Sequence, residues 1–323
     1  MGAQATILGA SGYTGGELVR VLTGHPVVRV AAVAAGARAG ASLGAVHPAL
    51  GPAAGDLRLV AARDAAATTA DVCFSCLPTG ELAPLLDEIA APIVIDLADG
   101  FRGSAEWTYG LTEFARAEVA AATRIANPGC YPTATLLAAV PFARAGLIDG
   151  PLVVDALSGT SGAGRRAEPR FSLGELHGSA GAYGDVDHRH VPEMERGLGA
   201  FGGLDTVVSF TPHLVPMARG VLVTIRAPLK DSIDAPQALT VLRDAYSSEP
   251  FVTVTEEWPQ TKWAAGSNHV FVSARVDARA GMLIASAGLD NLGKGAAGQA
   301  IQNANLALGQ DEGCGLDATG LWP

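Results

Sequence analysis

Cys130 stands in the segment Asn127-Pro128-Gly129-Cys130-Tyr131-Pro132-Thr133. Asn-Pro-Gly is turn chemistry, and Pro132 is tolerated in the first turn of a helix. The segment therefore predicts a cysteine delivered to a helix start, where a thiol pKa falls and the thiolate becomes a nucleophile. The competing reading is a small buried hydrophobe. Downstream, Asp187-His188-Arg189-His190-Val191-Pro192-Glu193 offers two imidazoles suited to proton transfer near neutral pH. No third ligand pattern lies near them, so no metal is expected.

Two further segments suit anions. Gly9-Ala10-Ser11-Gly12-Tyr13-Thr14-Gly15 follows an apolar strand pattern and opens a helical one. Its G-x-x-G-x-x-G spacing lets backbone N–H groups approach a pyrophosphate at a helix N-terminus, and a tight strand–helix turn is the plainer alternative. The contact set expected there is Gly9, Ser11, Gly12, Tyr13, Thr14 and Gly15. The next strand runs out as Ala34-Ala35-Gly36-Ala37-Arg38 without the acid that reads NAD ribose hydroxyls, and Arg38 suits a 2′-phosphate. NADP is the cofactor expected. Ser158-Gly159-Thr160-Ser161-Gly162-Ala163-Gly164-Arg165 has the small and basic residues of an anion nest, and Ser158 and Gly159 are assigned to the cofactor side. Cys73 and Cys76 form C-x-x-C inside an apolar strand, where residues three apart point to opposite faces. They read as structural, and so does Cys314.

Short apolar runs alternate with helical patterns over the first 150 residues, as in βαβ units. Strands are expected at 5–8, 27–35, 72–77, 93–97 and 124–126. Helices are expected at 14–22, near 81–89 and at 133–143. After Pro151 come longer alternating strands at 152–157, 206–211, 221–227, 270–276 and 283–287. A helix at 235–246 interrupts them, and one over 292–308 closes the pattern. Long alternating strands in succession suggest a mostly antiparallel sheet.

The 323 residues suit two domains. Charged residues make up 17% and hydrophobic ones 49%, which excludes a disordered chain. No run of about 20 apolar residues predicts a membrane span. The formal charge of -10 argues against nucleic acid and anionic membrane surfaces as partners. No secretory signal is evident, and four cysteines do not make a disulfide framework, so a cytoplasmic location is expected.

The cysteine turn, the histidine pair and the glycine loop resemble the N-acetyl-gamma-glutamyl-phosphate reductase family of semialdehyde dehydrogenases. The likeness extends to Phe210–Gly220 (FTPHLVPMARG) and Asp290–Gly309 (DNLGKGAAGQAIQNANLALG). Two segments depart: Asp96-Leu97-Ala98-Asp99-Gly100-Phe101-Arg102 places its second acid one residue early but keeps Phe101-Arg102, and Tyr183-Gly184-Asp185-Val186-Asp187 is looser than usual. The resemblance implies an α/β fold, with an N-terminal Rossmann-type dinucleotide-binding domain. An α+β catalytic and dimerisation domain with a mostly antiparallel mixed sheet would follow. It places residues 1–129 and 291–323 in the first domain and 130–290 in the second. It implies NADPH-dependent reduction of an acyl phosphate through a thioester on Cys130, with release of inorganic phosphate. His188 would be the acid–base group and His190 the second candidate. Arg102, Arg165, Arg189 and Tyr183 would lie on the substrate side, and Asn291 and Gly295 beside the nicotinamide. A homo-dimer or homo-tetramer is implied by analogy. An enzyme acting on a substrate tethered to an acidic carrier protein is the alternative, which the negative charge disfavours. A non-catalytic NADP-binding regulator is a third reading, which the retained Cys130 opposes.

Overall fold

The computed structural model describes residues 2–165, 168–184, 186–316 and 318–321. Asp185, in the stretch before the histidine pair, lies outside them. The chain divides into two compact units, residues 1–129 with 296–318, and residues 130–295 with 319–323.

The first unit is built on a seven-stranded sheet. Its strands are β1 (Ala3–Leu8), β2 (Val28–Ala34), β3 (Leu59–Val60), β4 (Val72–Ser75), β5 (Ile93–Asp96), β6 (Thr108–Tyr109) and β7 (Arg124–Ala126). They run in the order β3-β2-β1-β4-β5-β7-β6, all parallel. β4 and β5 are buried at every position, as expected of strands covered on both faces. The order reverses between β1 and β4, and a ligand crevice forms at the carboxyl ends of strands at such a reversal. The Tyr13–Thr23 helix leaves β1 at that end. The last helix, Gly298–Ala307, is buried over residues 298–305 despite carrying Gln299, Gln302, Asn303 and Asn305. Hydrogen bonds from their NH2 groups offset part of the burial of these amides: Gln299 donates to Thr112, Asn303 to Gly110 O and Asn127, and Asn305 to Cys314 O.

The second unit carries β8 (Leu152–Ser158), β9 (Gly181–Ala182), β10 (Val208–Leu214), β11 (Val221–Pro228), β12 (Val252–Val254), β13 (Val270–Asp277) and β14 (Met282–Leu289). The order is β12-β13-β14-β11-β8-β10-β9. Four of its pairings are antiparallel, while β8–β10 and β12–β13 are parallel. Mostly antiparallel is therefore the right description. Residues of β8, β10 and β11 alternate between buried and more exposed. The Cys130–Arg144 helix, apolar on nearly every side and buried from Tyr131 to Ala143, packs against β11 and β14.

Some elements differ from expectation. Residues 83–88 form a 3₁₀ helix, Ala83–Glu88, with Pro84 in its first turn, rather than an α-helix over 81–89. The expected helix from 292 begins at Gly298, after a π-turn, Gly293–Ala297, in which Gly295 N bonds to Asp290 O. The helices Thr112–Ala120 and Val191–Gly202, and the short strands β3, β6, β9 and β12, are additions.

Candidate active site

In the first unit the glycine loop is shaped by its own backbone. Gly9 N and Ala10 N both donate to Ala34 O, at 3.0 and 2.8 Å, which ties the loop to the end of β2. Gly9 has φ +84°, a conformation that favours glycine. A Cβ on Gly15 would lie 2.5 Å from Gly9 O, so only glycine lets the helix start this close to the loop. Gly12 caps the helix with no side-chain cap, and its first turn holds no acid. A helix start with uncapped N–H groups and no competing carboxylate fits a diphosphate. Arg38 is exposed in the turn beyond β2, and Ala41 N donates to its carbonyl. Gly9, Ser11, Gly12, Tyr13, Thr14 and Gly15 could hold a diphosphate there, and Arg38 could meet a 2′-phosphate.

Arg102 is otherwise engaged. Its Nε donates to Asn127 O at 2.8 Å and one Nη to Leu97 O at 2.9 Å, so it braces the Asn-Pro-Gly turn. Asp96 at the end of β5 is buried; burial pushes its carboxyl up, opposed by Ser75, the Ala98 N–H and Arg102. Burial pushes the Cys73 thiol up to about 11 and the Cys76 thiol upward as well, which suits inert core groups.

In the second unit Cys130 is the first residue of its helix, where the dipole favours negative charge at Sγ. Its neighbour Tyr131 is buried at the hub of an aromatic cluster. The Tyr131 hydroxyl bonds to that of Tyr183 at 2.9 Å. Its ring meets His188, His190 and Phe210 edge-on, with centroids 6.0, 5.8 and 5.1 Å away. Burial pushes both phenols up, and negative charge at Cys130 pushes each in the same direction. His188 and His190 stack edge to face at 5.0 Å. The His190 backbone N–H donates to His188 Nδ1 at 3.2 Å, so the neutral His188 ring carries its hydrogen on Nε2. Burial, and then the Arg189 charge, hold His188 below the usual imidazole range.

A second set of contacts holds the floor of this unit. Gly295 leaves no room for a side chain, since a Cβ there would lie 2.8 Å from Cβ of Cys130. Asn291 accepts from Gly220 N at 2.7 Å and donates to Ser161 Oγ at 2.9 Å. Gly159, Thr160 and Ser161 donate their N–H groups to the carbonyls of Gly220, Met217 and Ala218. The Ser158 hydroxyl bonds to Gly159 O. Asp290, fully buried, takes an ion pair from Arg219 at 2.9 Å and N–H groups from Gly266, Leu292 and Gly293.

The structure thus gathers Cys130, Tyr183, His188 and His190 around Tyr131, with Arg189 acting electrostatically on the rim. Asn291, Ser158 and Gly159 instead tie segments of the second unit together, and Arg165 is exposed on its loop. Tyr131, Arg219 and Asp290 escaped the sequence reading. Only their adjacency to Cys130, Gly220 and Asn291 could have flagged them. Among the described residues no group of three or more His, Cys, Asp or Glu side chains could hold a metal ion.

Two family models match this chain: the semialdehyde dehydrogenase NAD binding domain over residues 4–122 and the semialdehyde dehydrogenase dimerisation domain over residues 130–291. The chain is 44% identical over 343 residues to an N-acetyl-gamma-glutamyl-phosphate reductase of Salinispora arenicola, with all of both chains covered. It is 41% identical over 326 residues to one of Bradyrhizobium sp., again with full coverage of both. Among solved structures, aspartate semialdehyde dehydrogenase II from Vibrio cholerae superposes with a TM-score of 0.76 at 21% identity, covering 95% of this chain and 98% of that one. Aspartate semialdehyde dehydrogenase from Candida albicans, solved with NADP, gives 0.73 at 18%, covering 95% and 98%. At such identities the likeness is one of fold.

Proposed function

The chain belongs to the semialdehyde dehydrogenase family, in its N-acetyl-gamma-glutamyl-phosphate reductase branch, and on that premise we propose how its residues work. The reaction is NADPH-dependent reductive dephosphorylation of N-acetyl-gamma-glutamyl phosphate to N-acetylglutamate 5-semialdehyde. The observation that carries this reading is the helix-start Cys130, whose neighbour Tyr131 meets the ring of a neutral His188 with its Nε2–H left to donate. The first unit holds NADPH and the second carries the covalent chemistry.

Cys130 Sγ, as the thiolate, forms a bond to the acyl carbon. His188 Nε2–H and N–H groups of the helix start stabilise the tetrahedral oxyanion. Its collapse breaks the C–O bond to phosphate, which leaves and takes a proton from solvent. A thioester remains on Cys130. NADPH, when bound, supplies a hydride to its carbonyl carbon. The same donors hold the second oxyanion until the C–S bond breaks, which frees the aldehyde and restores the thiolate. The proton consumed ends on phosphate. Tyr183, Arg189 and Arg165 serve the substrate's anionic groups.

Self-association through the second unit is supported by Val153 and Leu157, which stand exposed on one face of β8. A reducing cytoplasm suits the four free cysteines, a nucleophilic thiol among them. The test is oxidation of N-acetylglutamate 5-semialdehyde, followed as NADPH formation that depends on both NADP and phosphate. Cys130→Ser should lose about a thousandfold or more of this rate while still binding NADPH. Turnover retained in that variant overturns the nucleophile assignment. A wild-type protein inert toward the semialdehyde overturns the substrate.

A further inference from the structure

His47 belongs to no motif, yet its ring is built into the glycine loop of the first unit. Its Nε2 lies 2.9 Å from Ala10 O. A carbonyl can only accept, so Nε2 carries the hydrogen and donates it. The ring packs on the helix at Gly16, where a Cβ would stand 2.9 Å from Cε1 and 3.0 Å from Nε2. The segment that delivers it is itself anchored. His47 follows the short helix Leu43–Val46, its own N–H bonds to Leu43 O, and Leu43 N bonds to Leu57 O.

The bond to Ala10 has a directional consequence. In a planar trans peptide the C=O and the following N–H point in opposite directions. Holding the Ala10 carbonyl toward His47 turns the Ser11 N–H away from it. Among the described residues, that N–H finds no acceptor. Without the clamp, the Ala10–Ser11 peptide is free to rotate and bring a carbonyl oxygen, rather than a donor, to the anion side of the loop.

We propose that His47 is a positioning residue for the cofactor: it fixes the Ala10–Ser11 peptide so that the Ser11 N–H faces the diphosphate of NADPH. This rests on the reading of the Gly9–Gly15 loop as the diphosphate cradle. The test titrates NADPH alone into the full chain and follows quenching of protein fluorescence. His47→Ala raises the NADPH Kd about tenfold. His47→Gln, whose side-chain Nε2 can stand where the imidazole Nε2 stands, stays within about threefold of wild type. In turnover, KM for NADPH rises in the alanine variant while kcat and KM for the acyl phosphate hold. If the alanine variant does not fold, His47→Leu, which keeps bulk and loses the donor, takes its place. A folded variant without the donor that binds NADPH like wild type overturns the proposal, as does a glutamine variant as weak as it. A wild-type protein that fails to bind NADPH overturns the reading of the loop itself, and that result comes before any variant is made.

Discussion

The chain has two glycine-rich loops with similar composition, and they are held in different ways. Gly9–Gly15 is fixed by short backbone bonds to β2 and by the start of an eleven-residue helix. Ser158–Gly164 opens only a four-residue 3₁₀ turn. It is fixed from outside, by carbonyls of residues 217, 218 and 220 and by the side chain of Asn291. In the first loop the N–H groups at the helix start remain for a ligand. In the second, the N–H groups of Gly159, Thr160 and Ser161 are already used. Composition alone suggests an anion nest in both places, whereas the hydrogen-bond accounting favours only the first.

Substitutions can break this contrast. Gly15→Ala should have the largest effect, because the new Cβ would lie 2.5 Å from Gly9 O and 2.6 Å from Ala10 Cα, both backbone atoms. NADPH binding should fall by about a hundredfold or more in a fluorescence titration, with a lowered Tm. Next comes His188→Asn, whose amide reaches the position of Nδ1 but not of Nε2. The rate should fall about a hundredfold, as when an oxyanion donor is removed, and His190→Asn should fall less. The reverse order would transfer the role to His190. Asn291→Ala leaves Gly220 N–H and the Ser161 hydroxyl without their partner. It should cost about 1–3 kcal/mol of stability in urea melts while leaving NADPH binding within about threefold. A selective loss of NADPH binding would instead make the second loop a cofactor loop.

The smallest expected effect is a displacement along the pH axis. Burial and the Arg189 charge both disfavour the His188 imidazolium, so the ring stays neutral to below its usual range. Protonation at Nδ1 would remove the acceptor for the His190 N–H that orients the ring, so the acid limb of kcat should lie below about 6.5. Arg189→Gln removes one of the two causes, raises the His188 pKa and should move that limb to higher pH in a rate profile. A limb that moves down, or stays, removes Arg189 from the site's electrostatics.

Much of this architecture is legible in the residues, and the failures have physical reasons. Apolar runs such as Val72–Ser75 and Ile93–Asp96 declare buried strands because the sheet covers both of their faces. The Thr112–Ala120 helix does not declare itself, because Glu113, Arg116 and Glu118 dilute its apolar stripe and its backbone is non-helical at Ala115. The parallel pairing of β8 with β10 is invisible because alternation reports which face is buried, not which neighbour is adjacent. Cys130 and the histidine pair are readable as local motifs. Tyr131, which brings them together, reads as one more residue of an apolar helix. Asn291 is readable as a motif residue, but its work of tying Gly220 to Ser161 needs partners 71 and 130 positions away.

The buried amide-bearing helix Gly298–Ala307 also sets an order of events during synthesis. The strands of the first unit are made before the second unit, yet the helix that supplies Asn303 to Gly110 and Asn127 is made after residue 295. At about 5–20 residues per second, the nascent first unit waits some tens of seconds or less with that groove unfilled. During that interval the second unit, contiguous from residue 130 to 295, is produced except for its short tail. The nucleotide-binding half, first in the sequence, is thus the one whose core closes last.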